Sequence, residues 1–170
     1  MSNTLEEESR PKADGKGSPE KTYTCIDSNA EPRPPNAALA WTIVRHKPAG
    51  SIRWNPAKQA KALYHLAPPE GERKVRSRVL HKQLKRLAGK PRLNATVLDY
   101  LLAHLNEIPG EWKERVGGKR IYILFLETVY EYGGVKHVRC LSWKETNEWC
   151  AGNLPVSEIW DADYFAALAA

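Results

Sequence analysis

The sequence predicts a single α+β domain in which three helices precede a small antiparallel sheet, and three features of the 170-residue chain carry that expectation. Apolar residues recur at helical spacing up to Asn106, the pattern turns strand-like after Pro109, and Gly133-Gly134 separates two strand-like segments as a hairpin turn would.

Residues 1–36 are rich in Glu, Lys, Gly, Ser and Pro and, apart from 23–26, offer little to bury, so they are expected to form a disordered tail. The basic α+β domain then spans 37–170. Its first core contributors, Leu39, Trp41, Ile43 and Val44, fit a short strand. Asn55 and Pro56 form an N-cap and first-turn pair, which predicts a helix over 56–66 that stops at Pro68-Pro69. A second helix is expected over 75–88, ended by Gly89. On its wheel Val75, Val79, Leu80, Leu84 and Leu87 oppose a stripe of Lys74, Arg78, Lys82 and Lys85. Asn94 is expected to cap a third helix, 95–106, that is apolar nearly all round and therefore buried.

The Gly133-Gly134 turn sets a register in which Glu131 faces Lys136, Tyr130 faces His137, Thr128 faces Arg139, Glu127 faces Cys140 and Leu124 faces Trp143. A third strand near 148–152 and a short terminal helix over 161–168 complete the expected domain.

The stretch LNATVLDYLLAHLNEIPGEWK (93–113), followed by RIYILFLETVYEYGGVKHVRCLSW (120–143) and a closing DYFAALAA, resembles a family of small bacterial proteins of unknown function. Those proteins share a basic segment, an LNAxVLDYLLAH helix, an IPxEWK turn and an aromatic-rich hairpin. The upstream IRWNPAK and RVLHKQL are similar to that family too, so the likeness spans 52–170. The chain departs from the pattern at the inserted 114–118 and at Phe125-Leu126-Glu127. The resemblance implies a common fold and supplies no activity, cofactor or catalytic residue.

Charge is the strongest functional signal. Residues 1–31 carry four basic and seven acidic side chains, 32–98 fifteen and two, and 99–170 seven and eleven, so balances of −3, +13 and −4 make up the net +6. A block so one-sided favours a partner that supplies negative charge. The leading expectation is a non-enzymatic, sequence-tolerant nucleic-acid-associated protein, with RNA slightly ahead of DNA. Its phosphate contacts would be Lys74, Arg78, Lys82 and Lys85, widened by Arg53, Lys58, Lys61, Arg73 and Arg92. Tyr130, Tyr132, His137 and Arg139 would share one face near the hairpin turn, where aromatic rings beside cations can stack bases, although the favoured reading of Tyr130 and His137 is a cross-strand pair that covers the core edge. The alternative is a protein-interaction module, an inhibitor or assembly factor, whose basic block docks an acidic partner.

A metal-dependent nuclease ranks third, with Glu127, Asp99, His104, Glu107 and His137 as the groups available and no recognisable catalytic constellation among them. His137, Cys140 and Cys150 lack a fourth zinc ligand, so neither a metal nor another cofactor is expected. Three cysteines at irregular spacing point to a reducing cytoplasm, and the opening 1–10, with three successive glutamates, is unlike a secretory leader. The longest apolar run, 121–126, is far short of the roughly 20 residues that cross a bilayer, so no membrane partner is expected.

Overall fold

The computed structural model describes residues 23–68, 70, 74–75, 77–87, 89–113, 120–157, 160–161 and 163–170. In chain order the elements are β1 (Thr24–Asp27), β2 (Thr42–His46), β3 (Ser51–Trp54), α1 (Pro56–Gln59), β4 (Leu63–His65), β5 (Lys74–Val75), α2 (Ser77–Arg86), α3 (Ala95–Ala103), β6 (Tyr122–Tyr132), β7 (Val135–Trp143), β8 (Trp149–Pro155), β9 (Trp160–Asp161) and β10 (Tyr164–Ala167). Strands dominate, and they occur on both sides of the helices in the chain. The expected α+β order, three helices followed by a small sheet and a terminal helix, is therefore overturned.

The main sheet has the order β4-β10-β6-β7-β8, with β2 also paired to β6. β7 lies along one edge of β6 at both ends, so β10 and β2 share the other edge end to end, against 122–124 and 128–131 respectively. Both faces of this sheet are covered. Ile123, Phe125, Leu141 and Ala167 pack with Leu98 and Leu101 of α3 and with Ile52 and Trp54 of β3. Leu124, Leu126, Cys140 and Ala166 pack with Leu84 and Leu87 from α2 and its end. Burial on two faces is why β6 reads as an apolar run rather than as an alternation.

Three expected elements change for one shared reason, the need to pair backbone groups in a buried sheet. The 56–66 helix ends after a single turn, although Asn55 caps it by accepting from the Lys58 amide at 3.1 Å. So short a helix gains little by itself, whereas Leu63–His65 pairs along β10. The terminal segment, helical by propensity, is instead β10, parallel to β6 and lying between β6 and β4. Its Ala166 and Ala167 are fully buried, and tertiary packing outweighs alanine's helix preference there. The expected tail is also shortened, because 24–27 forms β1 against β3 and Ile26 joins the core at 3 % exposure. Residues 1–22 of that tail lie outside the described residues.

The third helix is α3, shorter than expected and followed by a 3-10 turn at Leu105–Glu107. Asn94 caps it, accepting from the Val97 amide at 3.3 Å, while its own amide group donates to the Ser28 carbonyl at 2.9 Å and the Lys47 carbonyl at 3.2 Å. One nearly inaccessible side chain thus ties α3 to the loops flanking β1 and β2.

The hairpin turns where expected, with φ of 57° at Gly133 and 76° at Gly134. Tyr130 faces His137 and Glu131 faces Lys136, but beyond them the register slips. Leu124 faces Cys140 and Phe125 faces Arg139, so residues 126–129 of β6 stand opposite Val138 alone. The expected pairs Thr128 with Arg139, Glu127 with Cys140 and Leu124 with Trp143 do not form. An irregularity of this kind leaves backbone groups outside the ladder and re-aims side chains. Here several of the freed groups find other partners. The Arg45 guanidinium donates to the Leu126 carbonyl at 2.8 Å, the Glu127 amide donates to Leu93 at 3.4 Å, and the Glu127 carbonyl accepts from Lys47 at 2.8 Å. Thr128 Oγ1 accepts from the Ala95 amide at 3.0 Å and meets His46 Nδ1 at 2.9 Å.

Because β1 is part of the core, Ile26→Ala should cost about 2–4 kcal/mol in urea unfolding; an unchanged midpoint would mean that β1 is not docked. A second expectation concerns alkaline pH. Burial pushes the Cys140 thiol and the Tyr130 hydroxyl up, each to about 12, from ordinary values of 9.0 and 10.0. The folded chain keeps these protons where the unfolded chain releases them. The stability they contribute is complete below about pH 9 and is lost as pH rises towards about 12. Urea midpoints should fall over that window, and Cys140→Ala should flatten the first part of the decline; equal slopes for the two proteins would contradict the assignment.

Candidate functional site

The slipped centre of β6 leads directly to the most promising site. Glu127, only 5 % exposed, turns away from the ladder and pairs with the Arg92 guanidinium. Arg92 also reaches back to the Leu84 carbonyl of α2 at 3.4 Å, and the segment carrying it is held by an antiparallel bridge to Leu168. Gly89, at φ 101°, lets the chain turn sharply after α2 and run back along the sheet. Between this segment and the chain following β2 lies a cleft of about 430 Å³, lined by Lys47, Pro48, Leu87, Lys90, Arg92 and Glu127 among others. Three cations and one carboxylate line it, and Arg92 already neutralises that carboxylate. Among the described residues neither Lys47 nor Lys90 has an ion pair. Such a cleft can neutralise an anion and offer hydrogen-bond donors to it.

The cleft adjoins the basic helix. Lys82 and Lys85 are exposed on α2, as is Arg86 at its end, while Leu84 and Leu87 pack on the sheet. Arg78 lies within α2 and Lys74 in β5, where its backbone pairs with Asp161, but their side chains lie outside the described residues, as does all of Arg73. Arg53 is placed elsewhere. It is exposed on β3, whose Ile52 and Trp54 pack on the α3 face of the sheet, opposite the face that α2 covers. Lys58 sits 5.7 Å above the Tyr23 ring, and Lys61 is exposed in the turn after α1. The structure thus places Lys82 and Lys85 on α2 and Arg92 on the segment that follows it and reaches back to Leu84, with Arg53 on the opposite face. Lys47 and Lys90 were not singled out from the sequence. Lys47 reaches the cleft only through long-range pairing of β2 with β6, and its one sequence signal is membership of the +13 block.

The expected stacking face is divided by burial. Tyr130 is fully buried and donates its hydroxyl to the Arg33 carbonyl at 2.9 Å. Arg139, 6 % exposed, pairs with Asp99 at 2.5 Å and also donates to the Arg33 carbonyl at 3.2 Å. Asp99 completes this network by accepting from the Arg33 amide at 2.7 Å. These two residues fasten the 31–36 segment to α3 and β7 and present no stacking surface. Tyr132 stays exposed, and Trp41 packs against it and against His137, each at 5.0 Å between ring centroids.

The groups weighed for catalysis do not converge. Asp99 and Glu127 each have their own arginine, His104 stacks on Tyr100 at 4.2 Å, and the Glu107 carbonyl accepts from the Trp54 indole at 2.9 Å. Among the described residues no three of His, Cys, Asp and Glu come together as metal ligands would. Cys140 is buried opposite Gly152 and Cys150 opposite Ser142, while His137 turns its Nδ1 to the Val135 carbonyl at 2.9 Å. Among the described residues, no helix is long and apolar enough to cross a membrane. Comparison with protein-family models, with curated proteins and with solved structures finds no match to this chain.

Proposed function

We propose that the protein binds nucleic acid in a sequence-tolerant way through the cationic surface that runs from α2 into the cleft, RNA ahead of DNA. One observation carries this reading. Lys82, Lys85 and Arg86 are exposed on α2, the chain continues into Lys90 at a cleft that Lys47 lines from the segment after β2, and the carboxylate among the cleft residues is already taken by Arg92. Exposed cations in an acid-poor row match a phosphate backbone, which supplies the charge they lack. Sequence tolerance follows from α3. A helix that reads bases needs polar side chains on a free face, whereas Val97, Leu98 and Leu101 are fully buried and Asp99 is held by Arg139.

Counterion release makes the reading measurable. For a labelled single-stranded oligonucleotide, log K should fall with log salt at a slope of about −0.7 per phosphate contact, and about −0.9 on a duplex. Lys82→Gln with Lys85→Gln should flatten that slope by about 1.4 on the single strand and about 1.8 on a duplex, with the circular dichroism spectrum unchanged. If the wild-type protein bound no tighter than the roughly 10⁻⁴ M of weak non-specific attraction, while an acidic protein partner bound it through the same lysines, the basic surface would be a protein-docking face and the proposal would fail.

A further inference from the structure

We infer that the cleft between Lys47 and Lys90 is a site for a nucleoside phosphomonoester, the chemistry presented by the phosphorylated end of a strand. This rests on the nucleic-acid reading above and adds to it a specific ligand. Size is the first argument. About 430 Å³ lies within the range of sites for single small molecules, roughly 300–1,000 Å³, and suits one nucleotide rather than a strand passing through. Glu127 lies almost inaccessible at the cleft, tied by its side chain to Arg92 and by its backbone to Lys47 and Leu93.

Charge is the second argument. A phosphodiester carries one negative charge, whereas a phosphomonoester carries between one and two near neutral pH because its second ionisation lies near pH 6. With Arg92 and Glu127 cancelling one another, two lysines without ion pairs among the described residues remain, and their two charges favour the monoester. The chemistry of the walls is the third. Leu87, Pro48 and Pro91 give apolar surface for a sugar or base, which inorganic phosphate lacks.

Fluorescence anisotropy on one short single-stranded oligonucleotide, prepared with a 5′-phosphate, a 3′-phosphate or hydroxyls at both ends, tests this directly. At least one phosphorylated form should bind about tenfold tighter than the hydroxyl form, and Lys47→Gln with Lys90→Gln should erase that preference. Adenosine 5′-monophosphate should compete for the phosphorylated strand where adenosine does not. Equal binding of all three strands, without competition by the mononucleotide, would overturn the cleft assignment and leave the α2 surface standing. Competition by inorganic phosphate as strong as by the mononucleotide would overturn the nucleoside part. Binding of the mononucleotide that is lost in the lysine variant, without affinity for any strand, would uphold the cleft and remove the nucleic-acid surface instead.

Discussion

The centre of β6 is the constraint on which the rest of the molecule depends. Four residues there, 126–129, stand opposite a single residue of β7, so their backbone groups must be satisfied from elsewhere. The partners they recruit come from Arg45, Lys47, Leu93 and Ala95, which fixes the exit of β2, the approach to α3 and the first turn of α3 around one point. A regular hairpin with the register set by Gly133-Gly134 would have removed these particular contacts, leaving the β2–β6 ladder and the Asn94 side chain to hold the segments. It would also have placed Glu127 in a ladder instead of at a cleft.

A second polar cluster does comparable work on the α3 face. Asp99 and Arg139, with side-chain exposures of 13 % and 7 %, hold both the amide and the carbonyl of Arg33, and Tyr130 adds its hydroxyl to the same carbonyl. Losing one partner of a buried pair costs about 3–5 kcal/mol, because the remaining charge stays desolvated. This pair thus explains how a proline-rich segment with little to bury is nevertheless kept on the domain. Two of the acids that might have served cleavage chemistry are committed in this way, Asp99 to a strap and Glu127 to Arg92. What α2 and the cleft leave available is positive charge, since the cleft's carboxylate is held by Arg92.

Local signals were legible in the sequence and long-range ones were not. Asn55 and Asn94 cap helices as their side-chain chemistry implies, and the Gly133-Gly134 turn has the positive φ values its residues allow. Each is settled within four residues of chain. The fold class depended on partners far apart. DYFAALAA has helix propensity and becomes a strand only because β4 and β6 flank it, and 63–65 leaves a helical pattern for the same sheet. The slip within β6 had no sequence signal, since every residue from Leu124 to Val129 except Glu127 and Thr128 is apolar and fits either register. The basic block was visible as composition. Which of its members share a surface was not, because Lys47 is brought to the cleft by the pairing of β2 with β6 and Lys90 by the hold of Arg92 on Glu127 and Leu168.

The central claim is that α2 and the cleft form one continuous polyanion-binding surface. Amide chemical-shift mapping by NMR, titrating a 5′-phosphorylated single-stranded oligonucleotide into the isotope-labelled protein, tests it most directly. The account predicts that the perturbed amides form one patch comprising Lys82, Lys85, Lys90, Arg92 and Lys47, with Arg53 on the opposite face unmoved. A map centred on Trp41, Tyr132 and His137 at the hairpin tip, or no perturbation at all, would contradict it.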